Sequence, residues 1–276
     1  DGNRTVANAL TMRRALAYAR GFDALVVGQP VDAALAGDGV MNEGEVSARL
    51  GLPGIPVAAE TIAVERDLAL VELTGARYHV ATLSAPASLD AVGRARARGL
   101  GVTCGVSINN LVLNQNDIGP YRTFFKLTPP LRTEEDRAAM VAGLAGGLID
   151  VIVSDHDPQD VDTKRRPFVE AAFGAIGLET LLPCALRLYH NGEIGLAPLL
   201  AAMTVNPAKI LGLDCGRLAP GAPADLTLID LEAAWTVQPE ALTSKCKNTP
   251  FETAMMQGRA LLTVVGGATV FTAKGW

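Results

Sequence analysis

Histidine is scarce in this sequence. Three occur among 276 residues, at His79, His156 and His190. A basic excess is absent as well: 24 Lys and Arg stand against 29 Asp and Glu, a net charge of −5. That balance argues against a nucleic-acid groove, which needs clustered positive charge. No run approaches the ~18 apolar residues of a membrane span, and no signal-peptide pattern opens the chain. The four cysteines (Cys104, Cys184, Cys215, Cys246) lie far apart and form no C-x-x-C. They read as reduced thiols of a cytoplasmic protein rather than a disulfide framework or a zinc site. Repeats and low-complexity tracts are missing too. What the chain does have is apolar residues: 49% apolar against 19% charged excludes disorder. Its length fits one large domain, or one with a small appendage.

Short apolar runs alternate with longer amphipathic ones. Asn8–Arg20 carries Leu10, Met12, Leu16 and Ala19 near helical spacing, and Ala24–Gly28 follows as a buried strand. Val57–Thr74 reads as a helix stopped by Gly75, Arg77–Leu83 as a strand, and Ser88–Arg98 as a helix closed by Gly99. Gly101–Val106 is a third strand. Thr133 begins a Thr-x-x-acid capping box for a helix running to about Leu144. Ile149–Ser154 is a fourth strand, and Phe168–Tyr189 and Leu196–Leu211 read as helices.

Such alternation argues parallel α/β units. Four strand–helix units are half of a (β/α)8 TIM-type barrel. Because an open half would leave unpaired edges, an N-terminal portion with earlier strands is expected to be missing from the chain. A small open parallel sheet, complete in itself, is the alternative. Residues 1–214 therefore read as the C-terminal part of a barrel. From residue 215 to 276 the texture shifts to β-branched runs broken by Gly and Pro, with Gly266-Gly267 as a hairpin turn. That stretch reads as a small β-sandwich module.

Seven segments carry a family resemblance: Met41–Glu60, Pro129–Met140, Ser154–Pro158, Gly174–Pro183, Asn206–Leu213, Pro223–Asp230 and Lys247–Glu252. Their order and spacing resemble the dihydroorotase family of cyclic amidohydrolases along the whole chain. The resemblance implies a (β/α)8 barrel with a β-sandwich built from both chain ends. It also implies reversible closure of N-carbamoyl-aspartate to dihydroorotate, the third step of pyrimidine synthesis. Zinc would there polarise the amide and acidify water, and a carboxylate on the last strand would shuttle the proton.

Position by position, the resemblance finds replaced residues. The family's ligand histidine after the second strand falls on Thr82; His79, three residues earlier, is about 10 Å away and on the opposite face. The P-H-H pattern falls on Ile108-Asn109-Asn110, and a loop histidine on Gln29. A substrate-binding asparagine falls on Thr128, and the second histidine of D-H-A-P-H on Gln159. The family's H-x-H-x-R has no counterpart in these residues. Asp155 matches the general base and metal ligand, and Asp1 another possible ligand.

Ordinary structural roles stand beside these. Asp155 as a loop cap or an Arg/Lys partner and His156 as a satisfied structural histidine are such readings. So are His190 as a helix C-terminal dipole partner and Gly177 and Gly195 as turn or packing glycines. Lys164–Arg166 reads as a solvated run, able to greet an anion or acidic partner.

The expectation is a pseudoenzyme with Asp155 as a vestigial general base, no cofactor, and degenerate positions Asn109, Thr128 and Gln159. By resemblance to the family's non-catalytic members, its role would be that of structural partner to aspartate transcarbamoylase, in a homo- or hetero-oligomer. Two alternatives are open. One is an active dihydroorotase whose divergent site holds zinc through an H-x-H in the missing N-terminal portion together with Asp1 and Asp155, with Asn109 or Thr82 contacting the substrate. The other is a small-ligand regulatory module.

Overall fold

The computed structural model describes residues 5–274. Four strands form one parallel sheet in the order β1 (Leu25–Gly28), β4 (Arg77–Leu83), β5 (Val102–Ser107), β6 (Val151–Val153). Two-residue strands β2 (Met41–Asn42) and β3 (Gly54–Ile55) pair separately. Spatial order follows chain order in the main sheet, with a helix after β4 and after β5, as a barrel wall requires. Helices Ala9–Arg20, Val57–Thr74, Pro86–Ala97 and Glu134–Ala145 cover one face. Leu16, Val64, Leu68, Tyr78, Val80, Val92, Val106 and Met140 bury their side chains there. No helix among the described residues is long and apolar enough to cross a membrane.

Local chemistry accounts for the boundaries. Gly75 ends its helix at φ 65°, a left-handed conformation that glycine adopts without a Cβ penalty. Thr133 and Asp136 form a reciprocal capping box. The C-terminal module is a three-stranded antiparallel sheet of β7 (Leu226–Thr236), β8 (Met255–Val265) and β9 (Ala268–Thr272). Gly266 and Gly267, at φ 56° and 81°, make its hairpin turn. Among the described residues this is one layer, not the two of a sandwich, and Leu226, Leu228 and Val270 stay exposed on it.

Two predicted helices differ from the structure. Phe168–Tyr189 is helical only over Leu181–His190. Lysine ammoniums donate to the carbonyls of Phe168, Val169 and Ala172, and the Ala172 N–H, which a helix would give to Phe168, donates to the Thr163 carbonyl. Gly174 N–H and Ile176 N–H donate instead to Lys126 and Asn248 carbonyls. Leu196–Leu211 splits into Leu196–Ala201 and Val205–Leu211. The Ala202 carbonyl accepts from Ile152 of β6, and the Thr204 hydroxyl takes the Leu200 carbonyl, so the ladder is interrupted at the join.

A buried polar knot ties these layers together. Arg132 and Glu60 are each 3% exposed and lie 3.6 Å apart. Glu60 accepts from the Ser84 and Ala85 N–H groups and the Ser84 hydroxyl, all just past β4. Arg132 donates to Ser84 Oγ (3.0 Å), Asn42 Oδ1 (2.8 Å) and the Ile55 carbonyl (3.2 Å). Asn42 donates on to Gln115. Removing one partner of such a pair leaves an uncompensated buried charge, at a cost of about 3–5 kcal/mol. Arg132→Met is therefore expected to lose that much stability in urea denaturation. Glu60→Gln with Arg132→Met should lose clearly less than the sum of the two single changes.

Candidate functional site

Strand ends of the parallel sheet bring together most of the residues singled out in the sequence. From β1 comes Gln29, from β4 Thr82, from the β5 end Ser107, Asn109 and Asn110, and from the β6 end Asp155. Thr82 donates to Gln29 Oε1 at 2.7 Å. Two of the positions where imidazole is expected therefore satisfy one another. His79 lies elsewhere, bonded through Nδ1 to Thr103 at 2.7 Å, and burial pushes its pKa down. It takes no part in the site, as its spacing from Thr82 implied.

Ser107 caps the short helix Ile108–Val112, which carries both asparagines. Asn109 and Asn110 are 2% and 4% exposed. Asn110 Nδ2 donates to the Pro130 carbonyl, but its Oδ1 has no partner, and neither has Asn109 Nδ2. An unpaired buried polar group of this kind costs about 1–3 kcal/mol.

Asp155 is held at φ 51°, a left-handed conformation open to Asp. Ser107 Oγ donates to its Oδ2 at 2.9 Å. Burial raises its carboxyl to about 6; Ser107 and Asn109 oppose the shift, and Asp157 adds to it. Asn109 lies close enough to favour the charged carboxylate without completing a hydrogen bond. Asp155 neither caps the following loop nor pairs with Arg or Lys among the described residues, so the ordinary readings of it give way to a serine-bonded carboxylate.

Other predicted positions lie apart. Gln159 donates to Asp157, and its N–H reaches Asn248. Thr128 is exposed before Pro129. Asp1 lies outside the described residues. His156 accepts from the Gly177 N–H through Nδ1, which fixes its proton on Nε2 and makes it the structural histidine expected. Gly177 is a packing glycine: a Cβ there would meet the Ser154 carbonyl oxygen at 2.1 Å. His190 bonds the Leu231 carbonyl of the C-terminal sheet rather than simply facing its own helix end. Lys164, read as part of a solvated run, is buried. Sequence reasoning missed the Thr82–Gln29 and Ser107–Asp155 pairs, because each joins residues 48 or more positions apart.

Zinc needs imidazole, thiolate or carboxylate donors. The strand ends offer amides, hydroxyls and a single carboxylate. Among the described residues no three His, Cys, Asp or Glu side chains gather as a metal would require. The donor set of the described residues does not fit zinc.

The buried carboxylate has a consequence for pH. Its folded-state pKa lies above the ordinary 3.8, so stability falls as pH rises from about 4 to about 6 and stays lower above that. Asp155→Asn keeps the acceptor for Ser107 and tolerates the backbone conformation. It should raise the melting temperature by a few degrees at pH 7.5 and leave it unchanged below pH 4, as followed by calorimetry.

Comparison with known proteins places this geometry. The amidohydrolase family model matches residues 49–270, and a dihydro-orotase-like model matches residues 3–88. Dihydroorotase of Ehrlichia canis is 44% identical over 99% of this chain and 61% of its own length. That of Geobacter sp. (strain M21) is 47% identical over 99% of this chain and 64% of its own. The chain thus spans about three fifths of the length of these relatives. L-hydantoinase from Arthrobacter aurescens superposes with TM-score 0.88 at 26% identity, over 96% of this chain and 61% of that one. Dihydropyrimidinase from Brevibacillus agri superposes with TM-score 0.85 at 22% identity, over 97% and 61%, which supports the barrel fold. A parallel sheet in barrel order, a C-terminal β module and a model match over most of the chain agree: this chain belongs to the amidohydrolase family, with dihydroorotases as its sequence relatives.

Proposed function

We propose that this chain is a non-catalytic, dihydroorotase-like protein of pyrimidine biosynthesis that works in the cytoplasm as a structural partner of aspartate transcarbamoylase. The observation that supports the reading is the Thr82–Gln29 hydrogen bond of 2.7 Å, in which the side chain at one of the family's ligand positions is engaged by the side chain at the loop-histidine position. Asn109 and Asn110 extend the same pattern with neutral amides. Without a metal-bound hydroxide, Asp155 supplies only a general-base factor of about 10²–10⁴. The rate enhancements of enzymes start near a million-fold, so that contribution alone does not make a hydrolase. A packed sheet-and-helix core does not depend on that chemistry, and a scaffold needs only the core.

A second reading, an active zinc dihydroorotase, has two supports. The curated relatives carry that name. Asp155 is also retained with a raised pKa of about 6, suited to proton transfer near neutrality. Elemental analysis of the full-length protein separates the two: the scaffold reading expects no stoichiometric zinc.

Sedimentation of the full-length protein with aspartate transcarbamoylase at micromolar concentrations tests the partnership. A co-sedimenting complex is expected. Independent sedimentation of the two proteins would sink the proposal.

A further inference from the structure

Two ammonium groups lie inside the loop layer beyond the strand ends with no carboxylate in ion-pair contact among the described residues. Lys126 and Lys164 are each 2% exposed. Lys164 Nζ donates to the carbonyls of Ala172 (2.7 Å), Thr123 (2.9 Å) and Lys126 (3.4 Å). Lys126 Nζ donates to the carbonyls of Phe168 (3.0 Å) and Val169 (2.9 Å), and stands 4.6 Å from the Phe173 ring centre. Neither enters an ion pair among the described residues. Carbonyl dipoles and an aromatic face soften the burial of a cation but leave its charge uncancelled. The cost shows in Lys164, which burial, helped by repulsion from Lys126 and opposed by Asp157, pushes down to about 8.

A cavity of about 300 Å³ opens against this cluster. Lys164 lines it together with Arg165, Lys247 and Gln159, and two acids, Glu240 and Glu252, complete the charged wall. Arg165 is exposed and its guanidinium makes no hydrogen bond among the described residues. Lys247 Nζ spends two donors on the carbonyls of Leu242 and Ser244, each at 2.7 Å, and keeps a third free. Neither glutamate pairs with any of these cations among the described residues. Three positive side chains therefore face two negative ones across the opening, and the buried Lys126 adds its field from behind. A planar fork and a spare ammonium donor suit the oxygens of an oxyanion.

We propose that this cavity is a binding site for a small molecule bearing a phosphate or carboxylate group, gripped by Arg165 and Lys247 over the buried charge of Lys164. The site is separate from the Gln29–Thr82 and Ser107–Asp155 cluster and does not depend on the scaffold reading.

Thermal-shift titration of the full-length protein with inorganic phosphate, and separately with malonate, tests it against sodium chloride at matched ionic strength. A saturable rise in melting temperature beyond chloride is expected with at least one of the two, and the tighter probe identifies the oxyanion class. Arg165→Gln removes no hydrogen bond among the described residues and should melt like the parent in chloride, whereas Lys247→Gln gives up two carbonyl contacts, so its shift is read against its own chloride baseline. Each should bind the effective anion at least fivefold more weakly. No saturable rise over chloride with either probe, or affinity unchanged in both variants, would overturn the proposal.

Discussion

Everything about this chain hangs on the ion pair between Glu60 and Arg132. The two charges are sealed from water, and each is surrounded by partners drawn from different segments: Ser84 and Ala85 past β4, Asn42 in β2, Ile55 in β3 and, through Asn42, Gln115. A buried pair is not by itself a source of stability, because desolvation offsets most of the Coulomb gain. What it imposes is geometry. Any packing that separates helix Val57–Thr74 from the Pro129–Arg132 loop strands two charges in an apolar layer, so alternative packings are excluded.

That constraint gives two of the family-like segments a structural role. Asn42 belongs to the stretch Met41–Glu60, and Arg132 to Pro129–Met140. In this structure both motifs serve the buried pair, which holds the fold whether or not the strand ends do chemistry. The strand-end residues have no such tie. Thr82 and Gln29 are satisfied by one hydrogen bond between themselves, and the unpaired atoms of Asn109 and Asn110 are a local cost that a packed barrel layer absorbs. Asp155, meanwhile, keeps its serine partner, and burial favours its protonated form. Fold and chemistry are thus separable here because they rest on different side chains.

Periodicity and turn chemistry made the parallel units legible. The helix Val57–Thr74 and the strand Arg77–Leu83 appear with the boundaries read from the sequence, and the Thr133 capping box and the Gly266-Gly267 hairpin form as expected. Where periodicity misled, a distant side chain had captured the backbone. In the segment after Phe168, the N–H groups of Ala172, Gly174 and Ile176 donate to Thr163, Lys126 and Asn248, while Lys126 and Lys164 bind its carbonyls; no pattern within that segment announces this. The same limit governs the site. That Thr82, Gln29 and the two asparagines stand where the family has histidines is what the resemblance implies. The pairs those residues form depend on which strand ends meet, and that appears only in three dimensions.

The proposal's central claim is that a protein with these strand-end residues does not carry out metal-assisted opening of a cyclic amide. Turnover of dihydroorotate by the full-length protein in the presence of added zinc tests this most directly. The account predicts a rate no higher than that of zinc in buffer. Turnover well above that background, abolished by Asp155→Ala, would contradict it.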